Sequence, residues 1–312
     1  MSLEYLPIVL ESIDLEHFPA VTLYIRQGRQ FVLYKDKNLD LSEKVLRNLR
    51  NGAVDYVFVR KTEIDQIRSY YECNLKNLFE DSDRSLMDKN LVLCSTMVNY
   101  ISDVYQNPHT PAFYENCRTL LKHFDLQIAD RTELLDLLDK VSKSDIYLFT
   151  HSAQVAILTM IMHQKLFSTS HDDLVKIGLG AMLHDIGMTS VSDNILEKND
   201  ALANEEYSRI KQHTRDGHYI ASNKGVHEHL ALDIILRHHE HFDGRGYPGQ
   251  LSGYDIPISA QIVSICDIFS ALTNDRPYRP ASSTAEALEI MQADASLFNP
   301  EYLDAFAELI SA

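Results

Sequence analysis

From about Ser85 to the C-terminus the chain reads as one helix after another, with carboxylates and histidines where those helices should be buried. A helix that is apolar over most of its surface belongs in a core. Yet the apolar stretch Ile258–Leu272 carries Asp267 in its middle. Burying an unpaired charge is costly, so Asp267 needs a partner. Several candidates share its setting. His184-Asp185 and His238-His239 fall at the predicted ends of two helices, and His151 and His213 lie inside two others.

The helical signals are local. Asp130-Arg131-Thr132-Glu133 resembles a capping box, and Leu134, Leu135, Leu138 and Val141 give the helix after it an apolar face. Asp172–His184 carries Leu174, Ile177, Ala181 and His184 at helical spacing, with Gly187 where the helix should end. Further helices are expected at about 204–222, 226–240 and 258–274. Ser283 with Glu286 opens another, and Asn299-Pro300 opens the last. Asn107-Pro108 breaks an earlier one.

The first stretch of chain differs. Val21–Arg26 and Gln30–Lys35 are β-branched and aromatic runs around a Gln27-Gly28-Arg29 turn. Ser42 caps a helix to about Arg50, with Gly52 at its end. Asp55–Arg60 alternates like a strand, and Thr62 to about Phe79 is helical again. The expected fold is therefore mainly α. A small α/β module with connecting helices covers 1–125, and a C-terminal helical bundle covers 126–312.

Charge limits the partners. The formal net charge is -16, from 29 basic and 45 acidic residues. That argues against DNA or RNA, whose binding rests on many Lys and Arg contacts. A small anion is still admissible, because a metal cluster can dominate the field inside a cleft. Cys73, Cys94, Cys117 and Cys266 form no CxxC pair, which reads as free thiols in a reducing cytosol. No apolar run approaches the roughly 18 to 20 residues of a membrane span. Met1–Glu11 lacks the basic start of a signal peptide. A cytoplasmic protein without membrane insertion is the expectation.

Imidazoles and carboxylates together suit Fe, Mn, Zn or Co, and a carboxylate can bridge two ions. Two ions about 3.5 to 4 Å apart stabilise an in-line displacement at phosphorus. Five histidines and two aspartates on separate helices would suffice. Adjacent residues on one helix diverge by about 100°. The pairs His184-Asp185 and His238-His239 should therefore serve different ions, or sit at frayed helix ends. Taken singly, each piece has a plainer reading. A helical His is more often hydrogen-bonded than a ligand, and His171-Asp172 fits a helix start. A His pair at a helix C-terminus complements the dipole, and Asp267 could pair with an Arg.

The segment after the His pair bears on these alternatives. With the pair included it reads His238-His239-Glu240-His241-Phe242-Asp243-Gly244-Arg245-Gly246-Tyr247-Pro248. Here the chain resembles the HD-GYP family of bacterial phosphodiesterases. Leu183-His184-Asp185-Ile186-Gly187 matches the HD half. His238-His239-Glu240, Asp243-Gly244 and Gly246-Tyr247-Pro248 match the GYP half. Asp267 and then Asp275-Arg276-Pro277-Tyr278-Arg279-Pro280 match the closing segment. The likeness covers about 145–312 and implies an HD-type helical bundle.

The resemblance implies two divalent metal ions, iron first and manganese next. It implies His151, His184, Asp185 and Asp267 around one ion and Asp185, His213, His238 and His239 around the other, with Asp185 as the bridge. It also implies hydrolysis of cyclic di-GMP, or a related cyclic dinucleotide, to pGpG and onward to GMP. Gly246, Tyr247, Arg276 and Arg279 would meet the substrate, the two arginines orienting phosphates. Taken alone, Gly244, Gly246 and Gly249 permit unusual backbone angles and close ligand approach, or simply a rigid connector. Arg276 and Arg279 alone would also fit a solvated surface.

Three positions depart from the family's pattern. Tyr147 stands where some members carry a glutamate for a third metal, so two ions are expected. Met188 replaces a usual lysine, and Ser270 stands where an aspartate is common. Two other functions therefore stay open: a metal-containing effector that binds a cyclic dinucleotide, and a phosphohydrolase of another nucleotide. The N-terminal module carries no phosphoacceptor pattern, phosphate loop or cofactor signature. Docking of a protein partner, or dimerisation, is its expected role.

Overall fold

The structure is a computed structural model. It describes residues 4–28, 30–52, 54–80, 85–122, 134–138, 147–196, 198, 200–274 and 280–311. The chain opens with β1 (Tyr5–Val9), β2 (Leu23–Gln27) and β3 (Gln30–Lys35), and β4 (Tyr56–Arg60) follows a helix. They form one antiparallel sheet in the order β1-β4-β2-β3. Gln27 faces Gln30 across the hairpin, and Gly28 turns with φ +62, as a two-residue connection demands. Strand alternation sends Leu6, Ile8, Leu23, Val57 and Val59 into the core. Tyr5, Phe31 and Phe58 cluster on the other face, with Tyr5 stacked on Phe31 at 4.4 Å.

The strand β1 is not among the elements expected from sequence. Its run contains Pro7, which lacks an N–H and is confined to sheet edges. The structure puts β1 at an edge, with Pro7 opposite Phe58.

Helices α1 (Glu43–Asn51), α2 (Ile64–Glu80), α3 (Leu86–Gln106) and α4 (Pro111–Leu121) complete the first half. Gly52 ends α1 at φ -85, so no left-handed cap is used. Asn107 ends α3, and the chain re-enters helix at Pro111. Helix α3 packs on β1 on one side and on the first bundle helix on the other, so module and bundle share a core. Residues 134–138 are helical, with Leu134, Leu137 and Leu138 buried. The capping box at 130–133, Val141 and the expected division at 125/126 lie outside the described residues.

The bundle comprises α5 (Tyr147–Phe167), α6 (His171–Met182), α7 (Asp193–Leu196), α8 (Asn204–Lys211) and α9 (His213–Asn223). It continues with α10 (His229–Arg237), α11 (Ile258–Thr273), α12 (Thr284–Ala293) and α13 (Pro300–Ser311). Helix α5 packs against α6 and α11, and α10 lies against α6 and α9. Ser170 caps α6 through the Asp173 N–H, which makes His171 its first residue. Ser283 and Glu286 form a reciprocal capping box at α12.

Three boundaries differ from expectation. Helix α6 stops at Met182 and α10 at Arg237, so His184-Asp185 and His238-His239 lie in the turns beyond. The single helix expected over 204–222 divides at Gln212 into α8 and α9. At that break the His213 ring bonds the Ile210 carbonyl. The His213 carbonyl in turn faces Gly187. These contacts reward a broken helix and are invisible to periodicity.

His163 on α5 gives a pH prediction independent of any metal. It is 4% exposed, its Nε2 finds no partner, and burial pushes it down to about 4. The unfolded chain takes up this proton below its ordinary value of 6.5, while the folded chain resists until about 4. Its contribution is whole above 6.5 and is lost as pH falls towards 4, on the order of 3 kcal/mol in all. Urea unfolding of His163→Leu at pH 7 and pH 4.5 should show most of that acid sensitivity gone. Equal losses in variant and parent would refute the assignment.

Candidate metal centre

Two close helix approaches assemble the site. A Cβ on Gly180 of α6 would lie 2.7 Å from the Ala231 Cα, so glycine lets α10 come close. A Cβ on Gly187 would lie 1.9 Å from the His213 carbonyl oxygen, so the turn after Asp185 presses on the start of α9. Together these contacts bring the ends of α6 and α10 and the beginning of α9 to one point. Helices α5 and α11 add His151 and Asp267.

The structure brings all seven expected residues together. Asp185 Oδ1 lies 3.3 Å from His213 Nε2 and 3.8 Å from His238 Nε2, and Oδ2 lies 3.4 Å from His184 Nε2. Asp185, His213, His238 and His239 offer ligand atoms all within 4.8 Å of one another, as do His151, His184 and Asp185. Asp267 approaches the second set through His151, at 3.0 Å from Nε2, and lies 4.0 Å from His184 Nε2. Asp185 is common to both sets.

Hydrogen bonds fix which nitrogen faces inward. The Nδ1 of His184 bonds the Ala181 carbonyl at 2.8 Å, and that of His213 the Ile210 carbonyl at 2.7 Å. His238 Nδ1 reaches the Ile234 and Ile235 carbonyls. A carbonyl only accepts, so each Nδ1 carries a proton and each ring turns its Nε2 inward. His213 Nε2 and His238 Nε2 then face each other only 3.3 Å apart. The Nε2 of His184 is buried without a hydrogen-bond partner. Buried polar atoms left unpaired in this way call for an ion. Ring nitrogens converging on a carboxylate are the donor set of a divalent cation.

Burial lowers His184, but Asp185 and Asp267 outweigh it and raise the ring to about 9, so an ion there would displace a proton from Nε2. Burial alone would raise Asp185, but His184, His213 and His238 outweigh it and hold the carboxyl well below its usual range. Asp267 is likewise lowered against burial, first by His151. Burial pushes His239 down to about 4 and lowers His238 as well, which keeps their lone pairs free.

The loop after His239 supports the site from outside. Tyr247 stacks on the His239 ring at 4.8 Å, and Lys211 Nζ lies 5.3 Å from the Tyr247 ring centre. Gly244 takes φ +80, as expected for the turn. Gly246 does not open space for a ligand. A Cβ there would lie 2.2 Å from the His241 nitrogen and 2.4 Å from the His239 carbonyl, so the close approach is to the chain itself. Gly249 is close to Glu240 in the same way. Buried Glu240 accepts the Gly249 N–H at 2.5 Å and the Leu251 N–H at 3.0 Å.

Glu240 carries no assigned role on sequence grounds; its place before a glycine-rich turn is the available signal. Glu240→Ala should cost about 2 to 3 kcal/mol by orphaning two N–H groups. It should also speed proteolytic cutting within 242–252. Unchanged cutting and stability would count against this anchoring.

Met188 sits half-buried in the turn Ile186–Ser190. Ser270 is buried against His151. Arg276 and Arg279, with the rest of 275–279, lie outside the described residues, as does the side chain of Tyr147. All four cysteines are free thiols. No helix among the described residues is long and apolar enough to cross a membrane.

A helical domain with histidines and aspartates converging from five helices and turns is thus a divalent-metal domain by both fold and donor set. The chain belongs to the HD domain family, whose pattern matches residues 138–302. It is 34% identical over 172 residues to a cyclic di-GMP phosphodiesterase of Pseudomonas aeruginosa. A cyclic di-GMP phosphodiesterase of Thermotoga maritima is 36% identical to it over 181 residues. These matches take in 55% and 57% of this chain, but only 41% and 49% of the relatives' own lengths. An HDG"Y"P protein from Bdellovibrio bacteriovorus shares the fold over 99% of this chain and 100% of its own, with TM-score 0.72 and 18% identity.

Proposed function

We propose that this chain hydrolyses cyclic di-GMP to pGpG, and onward to GMP, with two divalent ions held by the seven clustered residues. His213, His238, His239 and Asp185 hold one ion. His151, His184, Asp267 and Asp185 would hold the other, with Asp185 common to both sets. The observation that carries the reading is the pair of inward Nε2 atoms of His213 and His238, 3.3 Å apart beside a shared carboxylate. Iron, then manganese, is what the resemblance to the HD-GYP family implies, and imidazoles with carboxylates suit either, as they suit Zn or Co.

When bound, such ions acidify water and neutralise phosphate charge. The chain's own residues do the rest. Two carboxylates against two dications leave a cationic site, which attracts a phosphodiester despite the acidic surface. Tyr247, braced by His239, offers a ring for a base and a hydroxyl for a phosphate. Gly246 keeps that ring in place. Arg276 and Arg279 orient the phosphates in this reading. Residues 1–125 act as the regulatory or docking module and 126–312 as the hydrolase. The exposed Leu33 on edge strand β3 supports a partner or a second copy there.

Met188 favours one other reading, because a thioether stands where a lysine cation is usual. The chain would then bind the cyclic dinucleotide and turn it over slowly or not at all, or accept a different nucleotide. Anaerobic purification, metal analysis and incubation with cyclic di-GMP separate these cases. Two ions per chain with pGpG appearing supports hydrolysis. Two ions, tight binding and no product supports the effector. A chain that holds no metal refutes both.

A further inference from the structure

Three of the clustered histidines bond carbonyls of their own segments through Nδ1, and a fourth, His151, bonds a side chain. His184, His213 and His238 bond carbonyls three or four residues earlier. His151 Nδ1 instead meets Ser270 Oγ on α11 at 2.9 Å, and Ser270 is 1% exposed.

The network around Ser270 sets the direction of that bond. Gln154 Nε2 donates to the Leu138 carbonyl at 2.9 Å, which turns Gln154 Oε1 towards Ser270 and Asn274. Gln154 Oε1 can only accept, so the Ser270 hydroxyl at 2.9 Å must donate to it. Asn274 Nδ2 donates to the same oxygen at 2.5 Å. With its single proton committed, Ser270 Oγ accepts from His151 Nδ1–H. His151 Nε2 is therefore the nitrogen left to face Asp267 Oδ1, 3.0 Å away, and the one an ion would take.

We propose that Ser270, held by Gln154 and Asn274, is the positioning residue that fixes His151 in its metal-binding tautomer. Leu138, Gln154, Ser270 and His151 form one relay from the helical stretch 134–138 to the metal centre. The relay rests on the two-metal proposal. It adds that Ser270 orients His151 through an uncharged side-chain relay, while backbone carbonyls orient His184, His213 and His238. Partners behind a ligating histidine typically carry 10- to 100-fold in metal affinity.

The test is titration of the full, metal-stripped chain with Mn(II), following both binding events by calorimetry. Ser270→Ala should weaken one event by about 10- to 100-fold and leave the other within about threefold. Ser270→Asp should restore it. A carboxylate also accepts from His151, Gln154 can turn its amide to face it, and Ser270 lines a cavity of about 380 Å³ that gives the larger side chain room. Gln154→Leu should weaken the same event, because it frees the Ser270 proton to turn. Two strong events in Ser270→Ala would overturn the relay, as would equal loss of both with no rescue by aspartate, which is the mark of a merely structural role. No Mn(II) uptake by the parent chain would instead overturn the metal reading, and the relay with it.

Discussion

Asp185→Ala is expected to strip both metal ions from the chain and to end hydrolysis. The carboxylate is the one group shared by the two clusters, with oxygens 3.3 to 3.8 Å from the Nε2 atoms of His184, His213 and His238. Removing it leaves those rings converging on an empty centre with only Asp267 to balance two dications. Loss of one stabiliser of developing charge commonly costs about 10²- to 10³-fold in turnover. Loss of the bridge should exceed that, because each ion loses a ligand at once. Metal content per chain and pGpG release measure the two effects separately. A variant that kept two ions and lost turnover would show that Asp185 acts on the substrate and does not bridge. Retention of one ion would assign it to a single site.

The seven clustered residues are legible in the sequence through the resemblance to the HD-GYP family, since each taken singly has a plainer reading. A His-Asp or His-His pair at a helix end, and an aspartate such as Asp267 in an apolar helix, are conspicuous in the bare chain. The tautomers are not legible there. They depend on the ring of His213 finding the Ile210 carbonyl, and on His151 finding Ser270 from another helix. Ser270 stands out as a departure and His151 as a candidate ligand, but their pairing does not, since they are 119 residues apart. Gly246 reads as room for a ligand. Its tight contact is with the backbone of His239 and His241, and glycine composition alone cannot say what approaches it. The strand β1 escapes notice because Pro7 argues against a strand in isolation and for an edge in context. Long-range pairing supplies that context.

Gly187→Ala is expected to unseat the metal centre without touching a ligand. The added Cβ would lie 1.9 Å from the His213 carbonyl oxygen and 2.6 Å from the Gly217 nitrogen, both backbone atoms. No side-chain rotation relieves such an overlap, so the turn after Asp185 and the start of α9 must separate. Inserting an extra carbon into packed structure costs about 1 to 3 kcal/mol, and sometimes more. A backbone clash on two sides should fall at the top of that range. The clash falls on His213 itself, whose Nε2 lies 3.3 Å from Asp185 Oδ1, so metal affinity should fall together with stability. Gly52→Ala is the matched control. Its Cβ would meet nothing closer than 3.4 Å and its φ of -85 suits any residue, so a change within about 0.5 kcal/mol is expected. Urea unfolding and Mn(II) titration of the two variants compare them directly. Equal stability and full metal binding in Gly187→Ala would mean that the turn can retreat from α9 freely. The close approach would then not be what holds His213 beside Asp185.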